Sequence, residues 1–285
     1  MTGLAFALVL ASAVIHATWN YLAKRIEASS SDAWLFTTLS MIIYAPLALG
    51  VVVLRHPVLG RRELLVMGGT AVLHTAYFLL LLRGYRSGGL SLVYPLARGT
   101  GPLLTTVAAI ALLGERPTWL ALSGATLIGI SVILLAGSYW GLDRRSGGAV
   151  LFALLTGATI AMYTLWDKYA VSVVGLHPIL LEWGSGVGRA ALLTPFAVRE
   201  WKHVRTRLRT RPRELLLVAA LIPLAYIMVL TAMSFTPVSY VAPLREVSIL
   251  IGAAMGAGLL AEGQAARRLF AAVVMVVGVV LLTVG

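Results

Sequence analysis

The chain has 285 residues, of which 59% are hydrophobic and 12% charged, and a formal net charge of +12; its mean hydropathy is +0.91. Soluble domains carry about a quarter of their residues as charges, so this composition excludes a soluble fold and makes the chain an integral membrane protein. It holds no cysteine, which excludes disulfide frameworks, thiolate nucleophiles and cysteine-ligated metal sites.

The first apolar run, Gly3 to Ala23, lacks the basic leader and small-residue cleavage site of a signal peptide and ends in His16-Ala-Thr-Trp19-Asn20, so it reads as a first transmembrane helix. Further runs at 33–54, 64–82, 90–113 and 119–137 complete a set of five. Each is long enough to cross about 30 Å of hydrocarbon at about 1.5 Å per residue. The second half repeats the count with runs at 148–166, 178–198, 215–235, 238–261 and 267–284. The fold expected is all-α, with ten transmembrane helices. The basic residues fall mostly in the short gaps between runs, where membrane topology places them, so the net charge points to the bilayer and away from nucleic acid.

The two halves match each other. Trp19-Asn20 pairs with Trp166-Asp167, Tyr77 with Tyr226, Ser91 with Ser239, Pro95 with Pro243 and Glu115 with Glu262, at offsets of 147 to 149 residues. A constant offset across these anchors argues for duplication of a unit of about 140 residues, with one repeat over 1–142 and the other over 143–285. Five helices per repeat is an odd number, so the second repeat must enter the membrane from the opposite side. The expectation is two inverted five-helix repeats, an arrangement in which the binding site lies at the repeat interface, where paired spans are interrupted by Gly or Pro. The fourth and ninth spans fit that description. Pro95 and Pro243 cannot donate to the carbonyls of Ser91 and Ser239, which leaves each serine with a freed acceptor.

The strongest chemical signal is charge inside these two spans. Arg98 lies seven residues past Ser91 and seventeen before Glu115, and Arg245-Glu246 follows Pro243. An arginine at the centre of a membrane helix costs about 2.5–3.5 kcal/mol on insertion scales, which implies a partner or a watery cavity. Two readings stand: a structural ion pair between Arg98 and Glu246, or arginines that bind an anionic group while Glu246 takes a substrate ammonium or a coupling proton. Glu182 and Arg189, seven residues apart, offer a second charged pair, with Glu182 read foremost as an interfacial helix-end residue. Glu115 and Glu262 read as surface markers of helix ends, or as a gating bridge.

Polar faces line up elsewhere. His16, Trp19 and Asn20 are spaced i, i+3, i+4, and Tyr163, Trp166 and Asp167 repeat that spacing, so each trio shares one helix face. His74 and Tyr77 share a face of the third span, and Tyr226 is the counterpart of Tyr77. The candidate substrate-binding set is therefore Arg98, Arg245, Glu246, Tyr94, Trp19, Asn20, His16, Tyr77, Trp166 and Tyr226. The proton-coupling candidates are Glu246, Asp167 and His74. The competing explanations are an interfacial aromatic belt for Trp19 and Trp166 and hydrogen-bonded packing for the histidine. No metal or cofactor is expected.

The HATWN, YPLARGTGP and APLREVS strings, the Trp at the end of the first span and Gly114-Glu115 thirteen residues after Pro102 resemble the drug/metabolite transporter superfamily, specifically its EamA-type ten-helix members. The resemblance covers nearly the whole chain. It departs in the ninth span, where Ile249 stands in place of a frequent Pro. Counting Lys and Arg, loops after odd spans hold fifteen and those after even spans five, which by the positive-inside rule puts both termini outside. The resemblance instead implies both termini in the cytoplasm of a bacterial inner-membrane protein. It takes precedence because Lys24 and Arg25 stand at a candidate functional helix end.

The resemblance implies a secondary transporter that exports or exchanges a small polar or amphipathic metabolite, amino-acid-like or a toxic organic molecule, by alternating access, as a monomer or homodimer. No G-x-x-x-x-G-K-[ST] string is present, so uphill movement would draw on a proton or counter-substrate gradient. A lipid-linked sugar or phosphate carrier of the same fold is the nearest rival. An intramembrane enzyme is the remote one, because neither H-E-x-x-H nor paired aspartate clusters occur.

Overall fold

The structure is a computed structural model that describes residues 1–26, 29–87, 90–136, 147–256 and 265–285. Those residues form helices and connecting turns, with no strand among them. In chain order the helices are α1 (Gly3–Arg25), α2 (Ser30–Arg55), α3 (Arg61–Ser87), α4 (Leu90–Leu113), α5 (Trp119–Ala136), α6 (Gly147–Ser172), α7 (Pro178–Arg199), α8 (Trp201–Thr210), α9 (Pro212–Phe235), α10 (Val238–Leu244), α11 (Val247–Gly256) and α12 (Ala265–Val284). Six of them, α1, α2, α3, α4, α6 and α9, are long and apolar enough by length and composition to cross a membrane. The boundary expected between residues 142 and 143 falls outside the described residues, and so does Glu262.

The structure departs from the expected layout in two places. The run at 238–261 is divided into α10 and α11 at Arg245-Glu246, whereas its counterpart α4 passes through Pro95 as one helix. At the break the hydrogen-bond ladder tightens. Arg245 N–H still reaches back four residues to Val241 O, but Glu246 N–H bonds Pro243 O at 3.0 Å and Ile249 N–H bonds Glu246 O at 2.9 Å, both three residues back. Pro243 has no N–H to continue the ladder, and the short 3₁₀-like turn that follows aims two charged side chains inward. The second difference is α8, a ten-residue helix in what reads as a basic loop. Its Val204 is buried, and Trp34 of α2 packs edge-on against Trp201 with ring centres 6.4 Å apart.

Local signals fix several helix ends. Ser29 and Asp32 form a reciprocal capping box at the start of α2, and Pro178 occupies the first turn of α7, where its missing N–H costs nothing. After α4, Gly114 adopts φ +66°, which lets Glu115 N–H fold back on Ala109 O at 3.2 Å.

Packing is reciprocal between the halves. α1 packs on α9 as α6 packs on α3; α4 lies against α6 as α11 lies against α1; α3 meets α7 as α9 meets α2; and α2·α7, α5·α12 and α4·α10 close the set. The α5·α12 crossing brings backbone to backbone: a Cβ added at Gly278 would stand 2.8 Å from Gly124 O. Small residues of this kind let membrane helices approach closely.

Direction follows from the chain's corners. The Asp32 carboxylate at the start of α2 meets His203 at 3.4 Å and Arg207 at 3.6 Å on α8, so the end of α1, the start of α2 and the start of α9 share one end of the bundle. At the opposite end Lys168, near the end of α6, donates to Met233 O (2.7 Å) and Thr236 O (3.0 Å) where α9 finishes. α1 and α6 therefore run toward opposite ends.

Candidate functional site

Between the two sets of helices lies a cavity of about 420 Å³ lined by α1, α2, α3, α4, α6, α7, α9 and the α10–α11 junction. His16, Trp19 and Asn20 of α1, His74 and Tyr77 of α3, Tyr94 and Arg98 of α4, Tyr226 of α9 and Arg245 all face it. A second cavity of about 520 Å³, reaching Ser29, Arg86 and Glu200 at the α8 end, shares Trp19, Thr37, Phe78, Glu182 and Arg189 with the first.

Two buried polar clusters stand behind the inner cavity. In one, Arg98 Nε is 3.0 Å from Glu246 Oε2, both side chains being about 5% exposed, and Arg98 Nη2 lies 3.4 Å from Ser248 Oγ. Glu246 thus sits behind Arg98 as its counter-ion, which is the arrangement a buried arginine requires.

The other cluster centres on Asp167, which is fully buried. Its Oδ1 accepts from Thr70 at 2.6 Å, and its Oδ2 meets His74 Nε2 at 2.9 Å and accepts from the Tyr226 hydroxyl. Thr70 and His74 are one helical turn apart on α3, which points both at the same carboxylate. On the far side of the imidazole, Arg189 Nη1 is 3.5 Å from His74 Nδ1, and Arg189 Nη2 pairs with Glu182 Oε1 at 2.5 Å. A guanidinium only donates, so a hydrogen bond at this contact requires a bare Nδ1, the tautomer that directs Nε2–H toward Asp167. Glu182, Arg189, His74, Asp167 and Tyr226 form one continuous chain of polar contacts across α7, α3, α6 and α9. Tyr226 also borders Arg245, the residue before Glu246: its ring centre is 5.4 Å from Arg245 Cζ.

Most of the residues expected from the sequence come together here, and the exceptions are informative. Trp166 is not among the residues lining either cavity: its Nε1 donates to Val66 O at 3.0 Å, and its ring lies over Gly69 of α3. It is a packing residue against α3, one helical turn before Thr70, outside both cavities. Asn20 lines the cavity but turns its amide back to His16 O at 2.8 Å. Glu182 is not at an interface; it is 3% exposed and walls both cavities. Glu115 is not a surface marker either, because its two carboxylate oxygens accept from Val238 N–H (2.8 Å) and Ser239 N–H (2.9 Å) at the start of α10. The expected partner Glu262 lies outside the described residues, as do the side chains of Ser91 and Pro95. Sequence reasoning missed Thr70, Ser248 and Tyr85; of these, only Thr70, spaced i, i+4 from His74, left a readable signal. No group of three or more His, Asp or Glu residues suited to a metal occurs among the described residues.

The comparisons agree with this architecture. A protein of known crystal structure superposes on the chain with a TM-score of 0.75 at 15% sequence identity, the match covering 98% of each chain; at that identity the likeness carries the fold alone. No curated protein matched the sequence. The profile of the EamA-like transporter family matches residues 3–137, the segment that holds α1 to α5 with His16, His74 and Arg98. The drug/metabolite-transporter resemblance of the sequence motifs is thereby borne out over residues 3–137, which are similar to the EamA-like transporter family.

Proposed function

We propose that the chain is a secondary transporter built from ten spanning helices in two inverted repeats, which exports or exchanges a small polar or amphipathic metabolite by alternating access. The α10–α11 pair counts as one interrupted span, and α8 lies outside the count. The opposite running directions of α1 and α6 and the reciprocal packing of the halves support the inverted arrangement. An even number of spans puts both termini on one side of a bacterial inner membrane.

One observation carries the reading. The cavity lies between the two halves, and the charged residues facing it or backing it, Arg98, Asp167, Glu182, Arg189, Arg245 and Glu246, come from α4, α6, α7 and the α10–α11 junction. Charges at such depth are costly unless a site uses or pairs them. A family of transporters and a cavity of this size fit movement of a molecule and give no role to catalysis. The driving force assigned is a proton or counter-substrate gradient, with Asp167, His74 and Glu246 as the groups available to titrate.

Reconstitution tests this reading. Purified protein in proteoliposomes should exchange radiolabelled amino acids or small organic compounds in counterflow, with gradient-driven flux collapsing on addition of a protonophore or removal of the counter-substrate. Absence of any flux from well-folded protein across an amino-acid and organic-compound panel would overturn it.

A further inference from the structure

Three arginines face the inner cavity, and two of them are already engaged. Arg98 is held by Glu246 and Arg189 by Glu182. Around Arg245, half-buried in the turn between α10 and α11, no carboxylate lies within ion-pair distance among the described residues; the face of Tyr226 packs against its guanidinium.

The buried acids nearby do not change this: Glu246, the next residue in the chain, gives its carboxylate to Arg98. Asp167 sits behind Tyr226, and its oxygens are already occupied by Thr70, His74 and the Tyr226 hydroxyl. Its hydrogen-bonding capacity is spent on those three groups. Arg245 is thus left with a planar fork of N–H donors beside an open cavity and with one face covered by an aromatic ring. That geometry suits bidentate capture of an oxoanion. A point cation would be repelled by it, and a neutral polar group would leave the fork half-used.

The rest of the wall selects the body of the ligand. Tyr77, Tyr94, Tyr163 and Trp19 line the same space, with the Tyr77 and Tyr163 rings edge to face at 5.7 Å between centres. Aromatic rings so arranged offer faces and edges to a flat apolar group. The cavity, at about 420 Å³, lies in the range of small-molecule sites.

From these placements we infer that the substrate class is a small organic acid with a single carboxylate-type headgroup and a planar apolar body, its headgroup held by Arg245 over Tyr226 and its body by the tyrosine wall. The inference rests on reading this cavity as the transport site. It assigns Arg98 and Arg189 to the walls, as groups already paired, and leaves the headgroup to one residue.

The test is equilibrium binding with full-length protein in detergent micelles, read by thermal shift and tryptophan fluorescence with benzoate, benzylamine and benzyl alcohol as probes. Benzoate is expected to bind saturably and at least tenfold more tightly than either uncharged or cationic analogue. Arg245→Gln should lose that preference, and Arg245→Lys, which keeps the charge without the fork, should fall between them. Arg62→Gln, at the opposite end of the bundle from α8, should bind like wild type, and circular dichroism reports folding of every variant. No benzoate response in wild type, equal benzylamine binding, or unchanged benzoate affinity in Arg245→Gln or Arg245→Lys would overturn the assignment. Because binding is measured without transport, benzoate binding that depends on Arg245 supports the anion site even where liposomes show no flux; in that case the transport reading alone falls.

Discussion

Tyr226 serves two charged groups at once: its hydroxyl donates to the Asp167 carboxylate, and its ring centre lies 5.4 Å from the Arg245 guanidinium carbon. Tyr226→Phe keeps the ring and removes only the donor. The lost bond to a charged acceptor is worth about 1.5–3 kcal/mol, and it falls on Asp167, which retains Thr70 and His74. Counterflow exchange should stay within about threefold of wild type, a shift under about 1 kcal/mol, while pH-gradient-driven accumulation drops about tenfold or more. Parallel loss of both in proteoliposomes would place the hydroxyl on the substrate.

The Arg98–Glu246 pair has the geometry of a structural bond, with both side chains about 5% exposed and 3.0 Å apart. Removing one member strands a buried charge, at a cost of about 3–5 kcal/mol. Arg98→Ala and Glu246→Ala should each lower thermal stability sharply and abolish transport. The double reversal, Arg98→Glu with Glu246→Arg, should recover both. A stable reversal that still carries no flux would show that one of the two groups touches the cargo.

At the α5·α12 crossing, a Cβ at Gly278 would sit 2.8 Å from Gly124 O and 3.0 Å from Ile128 N. Both neighbours are backbone and cannot rotate away. Gly278→Ala should therefore force the helices apart and cost about 1–3 kcal/mol, as overpacking does. Gly252→Ala, where nothing lies within 4 Å of an added Cβ, serves as the matched control and should leave the melting temperature nearly unchanged.

His177, outside the spanning segments, caps α7 by accepting from Ile179 N–H through Nδ1 at 3.3 Å. Burial first and the nearby Arg55 second hold its pKa below the ordinary 6.5. As pH falls through about 6.5 the unfolded chain takes up the proton before the folded one. This contribution is therefore complete above that pH and is lost progressively below it. A half-exposed cap is worth under about 1 kcal/mol. Melting temperature should fall more steeply between about pH 7 and about pH 5 in wild type than in His177→Asn, which caps without titrating.

The residues that sequence singled out and that the structure places at the cavity or behind it are those whose chemistry is conspicuous in an apolar run. Arg98, Arg245 and Glu246 could not be lipid-facing without penalty, and His16 and His74 stood at helical spacing from aromatic neighbours. Repetition placed Asp167 opposite Asn20, although the two behave differently: one anchors a polar network, the other bonds its own helix. What stayed hidden depends on three-dimensional neighbours. Nothing in the spacing of Glu182 and Arg189 tells a buried pair from an interfacial residue. Trp166 has the sequence context of Trp19 but turns toward α3, because Gly69 leaves room there for an indole ring. The helical state of α8 was equally illegible, since a run of bases reads as a loop until its Val204 and Trp201 find partners on α2 and its neighbours.

The Thr236–Pro237 corner is held by two charged side chains. Lys168 takes the carbonyls of Met233 and Thr236, while Glu115 takes the amides of Val238 and Ser239. Helix ends normally remain near the headgroups because their free polar groups need hydration. Here an ammonium from α6 and a carboxylate from the turn after α4 take four of those groups, so the bend between α9 and α10 keeps them paired without relying on the headgroup region for hydration.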